Sequence, residues 1–331
     1  MGQQAVLRLL TLGLWLTVTS SVWAKPQLSV VPFAENAYRL FLPMQLTSDQ
    51  QQLQETAPAH TARSHTYFFP TILRPEIPKK GLGGDCNTAR QVRAGWYYNW
   101  GRNPGGCGPA DFIETLPQAI PMLWGDWGDG PIPQVAEADY LLLFNEPDLR
   151  GQANIPARRA AILQYQIEAS PLVQRKIGAP APSHAHPEWL VAMRDEFIGL
   201  YGRPPKWDFL PVHCYFATAE ECQRHVQWFI ARARDWQIPG GLWITEFAVL
   251  PCVNNIHRVG GQPGVQPAIA EADRLIAWFE RTPEVTRYAW YISYQPLDAW
   301  YAFQPMPDCD TSLRTENWML TDWGQWYRER Q

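Results

Sequence analysis

The chain contains no internal repeat, no Gly-rich phosphate loop, no CxxC pair and no two histidines at metal-ligand spacing. These absences argue against a repeat array, a nucleotide-binding loop and a zinc site, so no cofactor or metal is expected. Charge is scarce and nearly balanced, with 28 Lys plus Arg against 32 Asp plus Glu, and no basic block is present to track a phosphate backbone. Nucleic acid is therefore excluded as the expected partner. The longest apolar run, Leu9–Val18, is interrupted by Thr11 and Thr17, and no other segment approaches the roughly 20 residues that a membrane span needs.

That run has a different reading. Arg8 precedes it, and Val22 and Ala24 follow it at the spacing of a cleavage site, so residues 1–24 read as a signal peptide. The mature chain is expected to be secreted, extracellular or periplasmic, without a membrane span, and monomeric. Removal of the peptide leaves roughly 300 residues, enough for one large barrel or two ordinary domains. Six cysteines in an exported chain imply disulfides, and the expected pairs are Cys86 with Cys107, Cys214 with Cys222 and Cys252 with Cys309, each stapling loops near consecutive elements. Aromatic residues are abundant instead: 17 Trp, 13 Tyr and 13 Phe offer flat apolar faces of the kind that sugar rings stack on.

Strand-like runs occupy 94–99, 112–115, 119–124, 140–146, 176–181, 209–215, 242–247 and 288–293, and helical periodicity fills 157–169, 187–200, 219–236 and 266–281. Strands alternating with helices imply parallel pairing. Eight such units over residues 93–331 predict an α/β fold, a (β/α)₈ barrel whose helices are short or missing among the first strands. Residues 25–92 do not share the alternation and are expected to form an N-terminal extension, packed on the barrel or partly disordered.

Two strands end in a carboxylate. In "YLLLFNEPDL" (140–149) a continuous apolar run delivers Glu146, and Pro147 is expected to keep that residue extended; "LWITEF" (242–247) delivers Glu246. Counted along the chain these are the fourth and seventh strands, which face one another across the mouth of an eight-strand ring. Chemistry in such barrels sits at the C-terminal strand ends. Two carboxylates flanking a bond are what glycosidic hydrolysis requires, one protonating the leaving oxygen and the other attacking the anomeric carbon or activating water.

The pair, together with "GWYYNW" (95–100), "IPMLWG" (120–125), "HCY" (213–215) and "WITEFA" (243–248), resembles glycoside hydrolase clan A and, more narrowly, family 128, the "glycosyl hydrolase catalytic core" group of endo-β-1,3-glucanases. The likeness runs over roughly residues 93–330; the stretch after the seventh strand and the first mature segment stand outside it. It implies that Glu146 is the general acid/base and Glu246 the nucleophile of a retaining double displacement, with Asn145 on the sugar 2-hydroxyl. His213 and Tyr215, on one face of the sixth strand, would steady Glu246. Further substrate contacts are expected from Tyr98, Asn99 and Trp100 after the first strand, Trp124 and Trp127 after the third, and Trp290 and Tyr294 on and after the last. His184 reads as a loop histidine, and Trp228, Trp236 and Trp278 as helix packing. The expected partner is a β-glucan. Rival readings are a clan A hydrolase of cellulose, mannan or galactan, and a carbohydrate-binding barrel that has lost its activity; the second sits poorly with the survival of both carboxylates. A structural cell-wall role would call for repeats or anchors, and none is visible.

Overall fold

The computed structural model describes residues 78–108, 116–250, 265–295 and 310–330, together with the backbone of four short strands, two near the N-terminus and two after residue 257. The chain divides into two compact units, Met1–Glu76 and Ile77–Gln331. In the first, β1 (Ser29–Phe33) and β2 (Ala37–Phe41) pair antiparallel.

The second unit runs β3 (Lys80–Gly83), α1 (Cys86–Gln91), β4 (Trp96–Tyr98), β5 (Gln118–Ala119), β6 (Met122–Leu123), β7 (Tyr140–Asn145), α2 (Ala157–Glu168), β8 (Lys176–Ala181), α3 (Glu188–Tyr201), β9 (Leu210–Phe216), α4 (Ala219–Asp235) and β10 (Leu242–Val249). After the small ladder of β11 (Arg258–Val259) and β12 (Gln262–Pro263) come α5 (Val265–Arg281), β13 (Val285–Tyr291) and α6 (Asp322–Arg328). Six strands form one parallel sheet in the order β5-β4-β3-β13-β10-β9, and β6-β7-β8 form a second. A parallel bridge from Gly178 to Phe209 joins β8 to β9. At the other seam β5 and β6 are two pieces of one segment, split at Pro121, whose nitrogen has no hydrogen to give a ladder. Counting them together gives eight positions in a ring.

The ring starts earlier than the sequence pattern indicates. β3 and α1 lie within residues assigned to the extension, yet β3 is hydrogen-bonded between β13 and β4. "KGLG" carries no apolar run because its neighbours leave little room: a Cβ on Gly81 would strike the Trp96 indole. The run at 112–115 lies outside the described residues. With β3 first and β4 second, Glu146 still follows the fourth position and Glu246 lies on the seventh.

Two layers of core hold the ring. Outside, Leu141, Leu143 and Phe144 of β7 and Ile244 and Phe247 of β10 pack against buried helix residues such as Leu163, Phe229 and Phe279. Helix α4 begins with a capping box, Thr218 and Glu221 satisfying one another's backbone amides. Inside, the barrel is filled by Trp96, Tyr98, Ile120, Met122, Leu142, Phe209, Trp243 and Ala289. Below them Arg287 is buried with its guanidinium 4.0 Å from the Trp243 ring centre and 4.4 Å from that of Tyr140. Much of the aromatic surplus is thus consumed as core. Disulfides join Cys86 to Cys107 and Cys214 to Cys222, as expected, while the Cys252 and Cys309 pairing lies outside the described residues.

Candidate active site

Both carboxylates owe their direction to irregular backbone. The β7–β8 register shifts between Leu143 and Asn145, and the β9–β10 register shifts between Ile244 and Glu246. Such bulges re-aim a side chain at a barrel rim. In β10 the shift lets Glu246 face inward although Trp243 also does, and the strand then continues to Val249 rather than stopping at Phe247. Glu146 is not extended, contrary to the reading from Pro147: its φ is 42°, in the left-handed region that side chains avoid. Its amide donates to Ala181 O at 2.8 Å, and its carbonyl accepts from Leu149 N at 3.0 Å, so the turn is held from both sides. Backbone held in this way is a common mark of functional sites.

The two glutamates meet across one histidine. His213, fully buried on β9, places Nδ1 3.1 Å from Glu146 Oε1 and Nε2 3.4 Å from Glu246 Oε1. An oxygen of each carboxylate and a ring nitrogen all lie within 4.8 Å of one another. Burial opposes a charge on the His213 ring, but the Glu246 carboxylate and the hydrogen bond to Glu146 outweigh it and raise its pKa above the ordinary imidazole value. Behind the strand, His225 of α4 hydrogen-bonds the His213 backbone and is kept neutral, its pKa drawn down to about 4 chiefly by burial.

Glu246 is the better furnished carboxylate. Trp100 Nε1 donates to Oε1 at 2.8 Å, Tyr98 OH donates to the same oxygen at 3.1 Å, and Tyr215 OH donates to Oε2. Burial raises its pKa, His213 opposes that rise, the nearby Glu146 adds to it, and the Tyr215 and Trp100 donors counter it; the net direction is upward. Burial and the same carboxylate push the Tyr98 and Tyr215 hydroxyls well above their ordinary values, so both remain donors.

Aromatic rings wall this centre in an edge-to-face chain. Tyr98 lies 5.1 Å from Trp100, Trp100 5.8 Å from Tyr291, and Tyr291 5.3 Å from Tyr215, centre to centre. His184 stands edge-on to Tyr215 at 5.9 Å, half-buried; burial lowers its pKa and Glu146 is close enough to oppose that. It is a loop histidine, on the turn after β8, and its ring stands at the site's edge. Asn145 is buried with Oδ1 unpartnered, its Nδ2 reaching Gln152 at 3.4 Å. Trp124 is on the rim, 39% exposed, and its carbonyl accepts from Asn145 N.

Other candidates are employed elsewhere. Asn99 folds its own loop, donating to Pro104 O and accepting from Gly101 N. Trp127 packs on Phe144 and donates to Gln166 of α2. Trp290 is wholly buried on the outer side of β13 against Phe247, Trp323 and Trp326. Tyr294 lies under the Arg314 guanidinium at 4.6 Å. Between these last two stands Tyr291, which the sequence reading passed over. Strand alternation was the available signal: Ala289 faces inward, so Tyr291 does as well and Trp290 cannot.

Residues 82–327 match the family described as the glycosyl hydrolase catalytic core. Among solved structures, the fold is similar to a curdlan-specific exo-β-1,3-glucanase of glycoside hydrolase family 128 from Blastomyces gilchristii, with 24% identity, a TM-score of 0.57, and 78% of this chain and 100% of that one covered. It is also similar to an endo-β-1,3-glucanase of the same family from Amycolatopsis mediterranei bound to laminaritriose, at 25% identity and TM-score 0.54, covering 76% and 98%. An endo-β-1,3-glucanase from Pseudomonas viridiflava is similar at 24% identity and TM-score 0.57, covering 76% and 97%. A search of the curated proteins finds no match.

Proposed function

Given that the chain belongs to the glycosyl hydrolase catalytic core family, and with it to glycoside hydrolase family 128, we propose that this glycoside hydrolase is a secreted endo-β-1,3-glucanase acting by retaining double displacement. The observation that carries the mechanism is that one carboxylate oxygen of Glu146 and one of Glu246 lie within 4.8 Å of each other beside His213, a close approach that favours the shorter of two known spacings. Retaining enzymes hold their carboxyl groups about 5–5.5 Å apart, whereas inverting ones leave about 6.5–9.5 Å for a water.

The hydrogen bonds divide the roles. Three donors on Glu246 favour its carboxylate and aim it, as a nucleophile requires. Glu146 has its side-chain contact with a histidine whose charged form both carboxylates favour, which suits a group that gives a proton to the leaving oxygen and then takes one from water. Esterification of Glu246 removes its negative charge, and that change favours the second step. Asn145, buried with an unpartnered amide oxygen next to Glu146, is suited to hold the sugar 2-hydroxyl. Tyr291, Trp100 and Trp124 offer the faces on which sugar rings stack.

The choice of β-1,3-glucan rests on the similar enzymes, including an Amycolatopsis mediterranei form with one glutamate replaced that holds laminarihexaose. Export rests on the signal-like N-terminus and two disulfides. Incubation of the mature chain with laminarin, curdlan, cellulose and mannan tests the substrate: soluble sugar is expected from the first two alone, as a ladder of oligomers. Release from cellulose or mannan would overturn the assignment, and glucose as sole early product would overturn the endo mode.

A further inference from the structure

The chain is acidic overall, with a formal net charge of −4, yet one cleft on the outside of the barrel is lined by arginines and by no acidic residue. It lies between the end of α1 and helix α6, has a volume of about 310 Å³, and is bordered by Arg90, Arg93 and Arg328, by Gln91 and Gln325, and by the indole of Trp318. That volume is at the small end of the range of about 300–1,000 Å³ usual for ligand clefts. Arg93 and Arg328 are exposed, and neither pairs with a carboxylate among the described residues. The amide oxygen of Gln91 is buried there without a hydrogen-bond partner.

Trp318 is the second unusual feature. It is 46% exposed, and the adjoining Met319 is 68% exposed, among the few large apolar side chains at the described surface. The ring is nevertheless fixed. Arg314 lies 3.8 Å from its centre, and Arg314 is itself held by Thr88 Oγ1 at 3.1 Å and Asp85 at 3.5 Å, in and just before the first turn of α1. The chain reverses tightly under it, Trp318 N donating to Thr315 O and Thr315 N to Met319 O. An exposed aromatic ring held rigid has little entropy to lose when something stacks on it.

We propose that this cleft is a second carbohydrate site, specific for carboxylate-bearing polysaccharide chains such as polyuronates, and separate from the site that cleaves glucan. Guanidinium forks match carboxylates in a bidentate manner, amides of Gln serve hydroxyls as donor and acceptor, and an indole face accepts the C–H face of a sugar ring. An acidic peptide would satisfy the arginines but leaves the platform unused. A nucleic acid calls for a longer basic track than three arginines on an acidic protein provide. The site would hold the enzyme on an acidic matrix while the barrel mouth works on neutral glucan.

Affinity electrophoresis of the mature enzyme through gels containing polygalacturonate tests this, with dextran, dextran sulfate and polyglutamate as comparisons. Polygalacturonate is expected to retard the enzyme and dextran not to. Arg93→Ala/Arg328→Ala and, separately, Trp318→Ala should each weaken that binding at least tenfold, with laminarin hydrolysis and thermal midpoint unchanged; Arg328→Glu, at an exposed position, serves as a further charge variant. No retardation by polygalacturonate overturns the proposal. So does retardation that survives the substitutions, or retardation by polyglutamate and dextran sulfate that equals that by polygalacturonate and ignores Trp318.

Discussion

His213 stands between Glu146 and Glu246, one ring nitrogen 3.1 Å from the first and the other 3.4 Å from the second. This arrangement makes the imidazole the common neighbour of both proposed chemical groups. Replacing it with glutamine keeps the volume roughly but removes the exchangeable charge. His213→Gln is expected to lower kcat by about 10²–10³-fold, in line with loss of an acid–base partner, and to shift the pH profile of kcat/KM. An unchanged profile would reduce His213 to packing.

Protonation also sets stability. Glu246 and His213 both bind their protons more tightly in the folded chain than in the unfolded one. The folded state therefore holds more protons, and stability falls as pH rises: for Glu246 from about 4.3 upward, for His213 from about 6.5 upward, each until its folded pKa is passed. Glu246→Gln removes the first of these costs. It should abolish turnover yet raise the thermal midpoint at neutral pH, as is common when a functional site that costs stability is relieved. Thermal unfolding of both proteins from pH 4 to 8 checks this.

The donors on Glu246 separate geometry from bulk. Trp100→Phe keeps an aromatic ring beside Tyr98 and Tyr291 but deletes the Nε1 donor. A hydrogen bond to a charged group contributes about 1.5–3 kcal/mol, so kcat should fall by roughly 10–150-fold with little change in folding. Tyr215→Phe should behave alike, and the double variant should lose less than the two combined, because both act through one carboxylate.

Neighbouring residues on β13 should respond in opposite ways. Tyr291→Ala is expected to raise KM for laminari-oligosaccharides while the fold survives. Trp290→Ala opens a cavity among Phe247, Trp323 and Trp326 and should cost about 3–5 kcal/mol of stability. Paired measurement of KM and denaturation midpoint distinguishes the two.

That pair also shows where the sequence was legible. Helices α2 to α5 and strands β7 to β10 were marked by strong apolar periods, and they lie within a residue or two of their expected ends. β3 was hidden because its four residues carry no apolar period of their own: besides the neighbouring β4, it is held by β13, about 200 residues away, and by Tyr327, whose carbonyl accepts from Lys80 Nζ at 2.6 Å. The carboxylates could be found because a charge ending a buried run is conspicuous. The aromatic residues could not be sorted by number, since tryptophan serves barrel filling, outer packing and site alike. Asn99 and Trp127 were drawn off by bonds to their own loop and to α2, which strand counting does not show.

Chemical rescue assigns the two glutamates separately. Glu246→Ala should regain activity with added azide and give an α-glycosyl azide, because azide replaces the nucleophile from the face it leaves open. Glu146→Ala with azide should give the β-azide through an intact Glu246. Exchange of these products would reverse the roles.

The most direct test of the retaining mechanism is proton NMR of the first sugar released from a laminari-oligosaccharide, read before mutarotation. The β-anomer appearing first is the result predicted by the close approach of one oxygen of Glu146 to one of Glu246; the α-anomer appearing first would contradict it.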